Sequence, residues 1–557
     1  MPVSFKSFFL FLGFTLIIQA FPLSAQMFDL RTDFSRQDTL HGAVTPERIW
    51  WDLIDYHLDV TVHIEDQRLS GSNTVFYRVL EPHHIMQIDL QEPMNITRVT
   101  QNGSELPFSR EGLAWFIELP DDHTEGEIRS LRVEYSGKPV VAANPPWNGG
   151  LTWQSDGNGN PFVANANQGI GPSVWWPNKD HPYDEPDSMR ISLTVPDSLV
   201  AVSNGRHTGT DQHENGTATW HWKVVNPINA YGVNLSVGDY VHFGEEYEGE
   251  DGTLTLDYYV LRENEEKARA QFEQVKPMME AFEYWFGPYP FYEDGFKLIE
   301  VPYLGMEHQS AVTYGNDYEN GYRGRDLSGS GWGLLFDFII IHETGHEWFA
   351  NNITYADVAD MWVHEGFTNY SESLYLDYHH GEQAAGEYVR GLRLTIQNDR
   401  PLMGIRGVRF RGSSDMYNKG GNLLHTIRQI VNDDELWRQT LRGLNAKFRH
   451  ETVYSEEIEE YISGKTGVDL QTVFDQYLRD IRIPTFEYAF RDGQLMYRWG
   501  NAINGFTMPV DVTIDGINLR LETTDSWSTM PWENWEDAQL EVDPDYYVGS
   551  FDLLGGQ

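Results

Sequence analysis

Residues Ile339 to Asn352 read IIIHETGHEWFANN, and this stretch restricts what the chain can become more than any other. It places His342 and His346 four residues apart, with Glu343 next to the first. On an α-helix, side chains four residues apart project within about 40° of each other. Both imidazoles can then face one metal ion. Glu343 projects about 100° round from His342, where it reaches a metal-bound water and not the metal. The fold must bury this helix and still leave space beside one face.

A further donor, Glu365, follows nineteen residues after His346 within MWVHEGFTNYSESLYL. There Trp362, Phe367, Tyr370, Leu374 and Leu376 recur at roughly helical spacing, which predicts a second helix packed beside the first. Two histidines and one carboxylate leave a fourth tetrahedral position open, which suits a catalytic zinc. A solvated helix-face acid is the alternative for Glu365, and the joint pattern favours the ligand.

HETGHEWFANNIT followed by DMWVHEGFTNYSE closely resembles the zinc core of the M1 (gluzincin) aminopeptidases. His364 stands where that family usually has Asn, at a position that is not a ligand. The resemblance implies one Zn²⁺ per chain on His342, His346 and Glu365, with Glu343 as general base. It also implies that Glu372, two turns after Glu365, supports a zinc-binding His through its second ring nitrogen. A solvated acid is the alternative there.

Other segments carry the same resemblance. Gly305-Met306-Glu307-His308 is similar to the family's G-x-M-E-N string, which implies that Gly305, Met306 and Glu307 line an edge strand of the substrate cleft. Glu307 then holds the free α-amine by a charge-assisted hydrogen bond; a plain strand-edge acid is the alternative. His308 replaces the usual Asn, and the glycine is shifted by one place. Gln168 falls where the family has a substrate-facing Gln, while Ile170 stands in place of the usual Glu. An ordinary loop glutamine is the alternative for Gln168. Tyr417 in SSDMYNKGGNLL matches the tyrosine that donates a hydrogen bond to the tetrahedral intermediate; core packing is the general alternative for a Tyr.

The chain has 84 acidic residues against 40 basic ones, a net charge of −44. That excess argues against nucleic-acid and anionic-membrane partners and keeps the protein soluble. Lys6, the apolar run Phe8 to Ile18 and Leu23-Ser24-Ala25 read as a secretory signal peptide over residues 1–25. No second apolar run of spanning length follows, so no stable membrane span is expected after cleavage and an exported, periplasmic or extracellular protein is. There is no cysteine, hence no disulfide.

Residues 26–48 are polar and unpatterned, and an extended lead-in is expected. From Tyr56 the chain alternates: Leu58, Val60, Val62 and Ile64 share one face, and His57 and His63 lie on the solvent side. Similar runs continue, so 49–245 is expected to be an all-β domain, saddle-like by resemblance. Trp175 and Trp176 are expected to pack at a domain interface. NEEKARAQFEQVKPMMEAFEYWFG predicts one long amphipathic helix ending at Gly287. By resemblance, 246–484 is a thermolysin-like α/β zinc catalytic domain and 485–557 a small C-terminal β-sandwich. The fold class is thus multidomain α+β. No counterpart of the large helical fourth domain of many relatives is expected, and with it an open cleft. The implied activity is release of N-terminal residues from peptides with a free N-terminus. Endoproteolysis, epoxide hydrolysis and a non-catalytic binding role stay open as alternatives.

Overall fold

The computed structural model describes residues 33–120 and 123–554. The expected signal peptide lies outside the described residues. An eight-stranded sheet dominates the N-terminal region, and the strand Trp51–His63 runs through its middle, antiparallel to Arg68–Val79 and parallel to Ser188–Pro196. A register shift between Leu53 and Asp55 sets the phase of the alternation. Tyr56, Leu58, Val60 and Val62 are buried beyond it, as the pattern predicts. His57 and His63 are half-buried partners of Asp55 and Ser70. Sheets of four and three strands complete this region.

The lead-in is not extended where it is described. Arg36–Gly42 and Pro46–Ile49 are short helices, the first opened by a capping box between Ser35 and Asp38. Trp175 and Trp176 do not sit at an interface alone. Both are fully buried in the core of the β region, which runs on to Ile299 of the next sheet and to Ala311 just before one of its strands.

That next sheet has five strands, in the order Tyr240–Gly249, Gly252–Leu261, Phe296–Glu300, Val312–Tyr314 and Gly305–Met306. It takes in Tyr240, so the catalytic unit starts ahead of residue 246. Its edge strand is Gly305–Met306. The predicted single helix is in fact two, Glu265–Gln271 and Val275–Phe286, with a tight 3-10 turn between them. Pro277 explains the break, because its ring excludes the carbonyl four residues back and cannot donate to it. Gly287, at φ 92°, ends the second helix as expected.

Helices pack below the sheet around one large core. Phe338–Gly345, Trp362–His380 and Asn418–Val431 matter most for function. After residue 485 the chain forms sheets of four and three strands, with Phe486, Trp499, Val510 and Val512 buried in the same core. Among the described residues no helix is long and apolar enough to cross a membrane.

Candidate metal centre

The helix Phe338–Gly345 starts from Asp337, whose carboxylate accepts the N–H groups of Ile339 and Ile340. The helix stops sooner than the sequence suggests. His346 is its C-cap, and Phe349 and Ala350 leave helical geometry. The departure has a use. It turns the Phe349 carbonyl inward, 3.1 Å from His346 Nδ1. Thr368 Oγ1 lies 3.0 Å from the same nitrogen. His342 Nδ1 lies 2.8 Å from Glu372 Oε1, and Tyr388 donates to Glu372 Oε2 at 2.6 Å. An acceptor at Nδ1 places the ring proton there and leaves each Nε2 with a lone pair.

Those lone pairs converge on Glu365. Its Oε2 is 3.3 Å from His346 Nε2 and 3.8 Å from His342 Nε2. Its Oε1 accepts from Tyr417 at 2.9 Å and from Gln168 at 2.8 Å. Oε2 is buried and has no hydrogen-bond donor. Three lone pairs facing one another without a proton repel, and a cation resolves this. Donors on a tetrahedral zinc lie about 3.3 Å apart, close to the spacings here. The residues therefore fit Zn²⁺. A second grouping, Glu307, Glu343 and His346, also brings its donor atoms within 4.8 Å. It competes for the same His346, and neither of its carboxylates carries the orphaned oxygen.

Two close approaches shape the site. A Cβ at Gly305 would meet Ile339 and Thr313 at 3.0 Å or less, and Glu343 at 3.2 Å. Glycine there lets the edge strand lie against the metal helix. A Cβ at Gly420 would meet the Cα of Gly366 at 2.8 Å, so two glycines form the crossing of Trp362–His380 with Asn418–Val431. That crossing carries Tyr417 to Glu365.

The cavity here is about 250 Å³. Gly305, Glu307, Glu343, Gln168 and Tyr417 all line it with the three donors and Glu372. Met306 does not. Its side chain packs beside Tyr303 and Tyr231, and its sulfur accepts the Asn167 N–H at 3.3 Å. On a strand, neighbours point to opposite faces, so Glu307 turns to the cavity and Met306 to the β region. His364 is buried and accepts the Tyr355 N–H through Nε2 at 2.8 Å, which removes that nitrogen as a ligand. His308 is buried too, between the carbonyls of Gly232 and Asn165.

Burial pushes the Glu343 carboxyl up to about 7 and also raises that of Glu307. Burial pushes Glu365 the same way, but His346 and His342 outweigh it and hold the carboxyl well below its usual range. Burial and the Glu365 charge raise the Tyr417 phenol, which stays a donor.

Sequence reasoning missed Thr368, Tyr388 and the Phe349 carbonyl. Thr368 lies three residues after Glu365, on the same face, and could have been found by spacing. Tyr388 comes from another helix, and the carbonyl from a break that no residue type announces.

The packed helix pair, the edge strand and the two-histidine, one-carboxylate donor set make a site of the kind a catalytic zinc occupies. Residues 270–477 match the family model described as "Peptidase family M1 domain". Residues 270–477 thus carry an M1 peptidase domain. It is 22% identical to human aminopeptidase B over 74% of this chain and 65% of that protein. It is likewise 22% identical to Xenopus laevis leukotriene A-4 hydrolase, over 76% of this chain and 70% of that one. The match to rat aminopeptidase B spans 53% of that protein, so these alignments leave a third or more of the aminopeptidase B chains unmatched. The crystal structure of an M1 zinc metallopeptidase from Deinococcus radiodurans shares the fold. It gives a TM-score of 0.65 at 22% identity, covering 80% of this chain and 98% of that one.

Proposed function

We propose that this chain is a zinc aminopeptidase that releases N-terminal residues from peptides. The observation that carries this reading is the orphaned Glu365 Oε2 between two imidazole Nε2 atoms, in a cavity that also holds Glu307 and Glu343. His342, His346 and Glu365 hold the ion. When bound, zinc acts as a Lewis acid toward the scissile carbonyl and makes water acidic. Glu343 takes the proton of the attacking water and delivers it to the leaving amine. Tyr417 donates a hydrogen bond from its hydroxyl to the developing oxyanion.

The amine end selects for a free N-terminus. Glu307 pairs with the substrate's ammonium in a partly dry site. Gln168 donates its N–H to Glu365 and keeps its carbonyl oxygen as a second acceptor for the ammonium. A Deinococcus radiodurans relative has been solved with a Tyr-Ser-Ala substrate, consistent with peptide binding on this scaffold. The amino-terminal apolar run is read as an export signal on the sequence alone.

A panel of aminoacyl chromogenic amides, with and without N-acetylation, before and after chelation, tests the reading. Free-amine amides are expected to be cleaved and chelation to abolish cleavage. Equal rates on acetylated and free substrates would show endoproteolysis instead.

A further inference from the structure

A second cavity, of about 660 Å³, opens beside the catalytic one. The two share Trp147, and a short strip separates them, with Gln168 on the catalytic side and Gly169 and Ile170 on the other. Met361, at the N-terminal and so positive end of the helix Trp362–His380, forms part of its wall. The lining includes Arg409 and Arg411 and no acidic residue. That is unusual in a chain with 84 acids against 40 bases. The adjoining catalytic cavity is walled by Glu307, Glu343, Glu365 and Glu372.

The two arginines differ. Arg409 is neutralised, with Nη1 3.0 Å from Asp180 Oδ1, and its Nε donates to the Gly169 carbonyl at 3.4 Å. Arg411 is half-buried and, among the described residues, has neither an ion pair nor a hydrogen bond. Yet it is close to the chemistry: it lies six residues before Tyr417, and its cavity and the catalytic one are both lined by Trp147. A guanidinium partly withdrawn from water with no anion beside it gains most from a carboxylate, which it can grip with two parallel N–H donors.

We propose that this cavity receives a carboxylate of the peptide substrate, with Arg411 as its counter-charge and a specificity-determining residue. The inference rests on the aminopeptidase reading above. The carboxylate has two sources: the side chain of an N-terminal Asp or Glu, or the C-terminus of a short peptide. Either way the site is bipolar, with Glu307 for the ammonium and Arg411 for the anion.

The test uses the zinc-loaded full chain. One arm compares kcat/KM for Glu, Ala and Lys aminoacyl coumarin amides, which have no C-terminal carboxylate. The other compares Ala-Ala-Ala with its C-terminal amide. The wild type is expected to prefer the carboxylate-bearing substrate in one arm, and Arg411→Gln to lower that preference about tenfold or more. Arg411→Lys keeps part of it, and Arg411→Glu reverses it. Ratios that are flat in the wild type, or equal in wild type and Arg411→Gln in both arms, overturn the inference. So does an equal fall on every substrate, which would make Arg411 a support for Tyr417 or the fold. Turnover with flat ratios leaves the aminopeptidase reading standing; no turnover of any free-amine amide removes that reading and this inference together.

Discussion

On the metal wall of the cleft, each donor residue has its other polar atom held by a neighbour. His342 Nδ1 is on Glu372, His346 Nδ1 is on the Phe349 carbonyl, and Glu365 Oε1 takes Tyr417 and Gln168. Glu372 sits on the helix Trp362–His380, Tyr417 caps Asn418–Val431, and Phe349 lies just past the metal helix. At the amine end the construction is different. Glu307 follows a two-residue edge strand and is placed by backbone contacts, among them its carbonyl with Asn351 Nδ2 at 3.1 Å. Gln168 arrives on a loop of the β region. Metal ligands need fixed tautomers and directions, which hydrogen bonds supply. An ammonium needs only a nearby anion in a dry place, which sheet-edge position and burial supply.

The two ends should therefore fail separately. Glu343→Gln has the largest expected effect: zinc content measured by atomic absorption stays near one per chain while kcat falls about 10³-fold or more. Activity close to wild type would remove Glu343 as the base. Tyr417→Phe is expected to lower kcat about 10²-fold with zinc retained; a change in KM alone would place the phenol in substrate binding. Glu307→Ala should cut kcat/KM for free-amine amides about 10²-fold and erase the preference over acetylated ones. Loss of zinc in that variant would show that the two ends are not independent. Glu372→Gln acts on the other end, with zinc affinity about 10-fold weaker in a chelator competition and an unaltered preference for free amines. Gln168→Ala gives the smallest change, below about tenfold in kcat/KM. It is also the link between the ends, since its N–H reaches Glu365, so a small loss of metal affinity alongside weaker amine selection is the expected pattern.

The metal wall was legible because its spacing is helical. His342, His346 and Glu365 were found by period and separation, and Glu372 through the family resemblance, seven residues on along the same face. The strand Trp51–His63 was legible for a similar reason, since alternation is local. The breaks were less so. Pro277 in hindsight divides the long amphipathic run, but the end of the metal helix at His346 depends on what the Phe349 carbonyl must reach. Met306 shows the limit of a motif: the string places it in the cleft, while the pleat turns its side chain toward the β region.

The sequence by itself determined the donor types and their local order, because side-chain direction along a helix or strand follows from two backbone dihedrals per residue. Tertiary structure alone decided how distant pieces meet. It set Gln168 against Glu365, Tyr388 behind Glu372, and Arg411 in a cavity free of acids next to one full of them. Those contacts depend on how closely elements pack, as at Gly366 and Gly420, and packing distance is a property of two surfaces together.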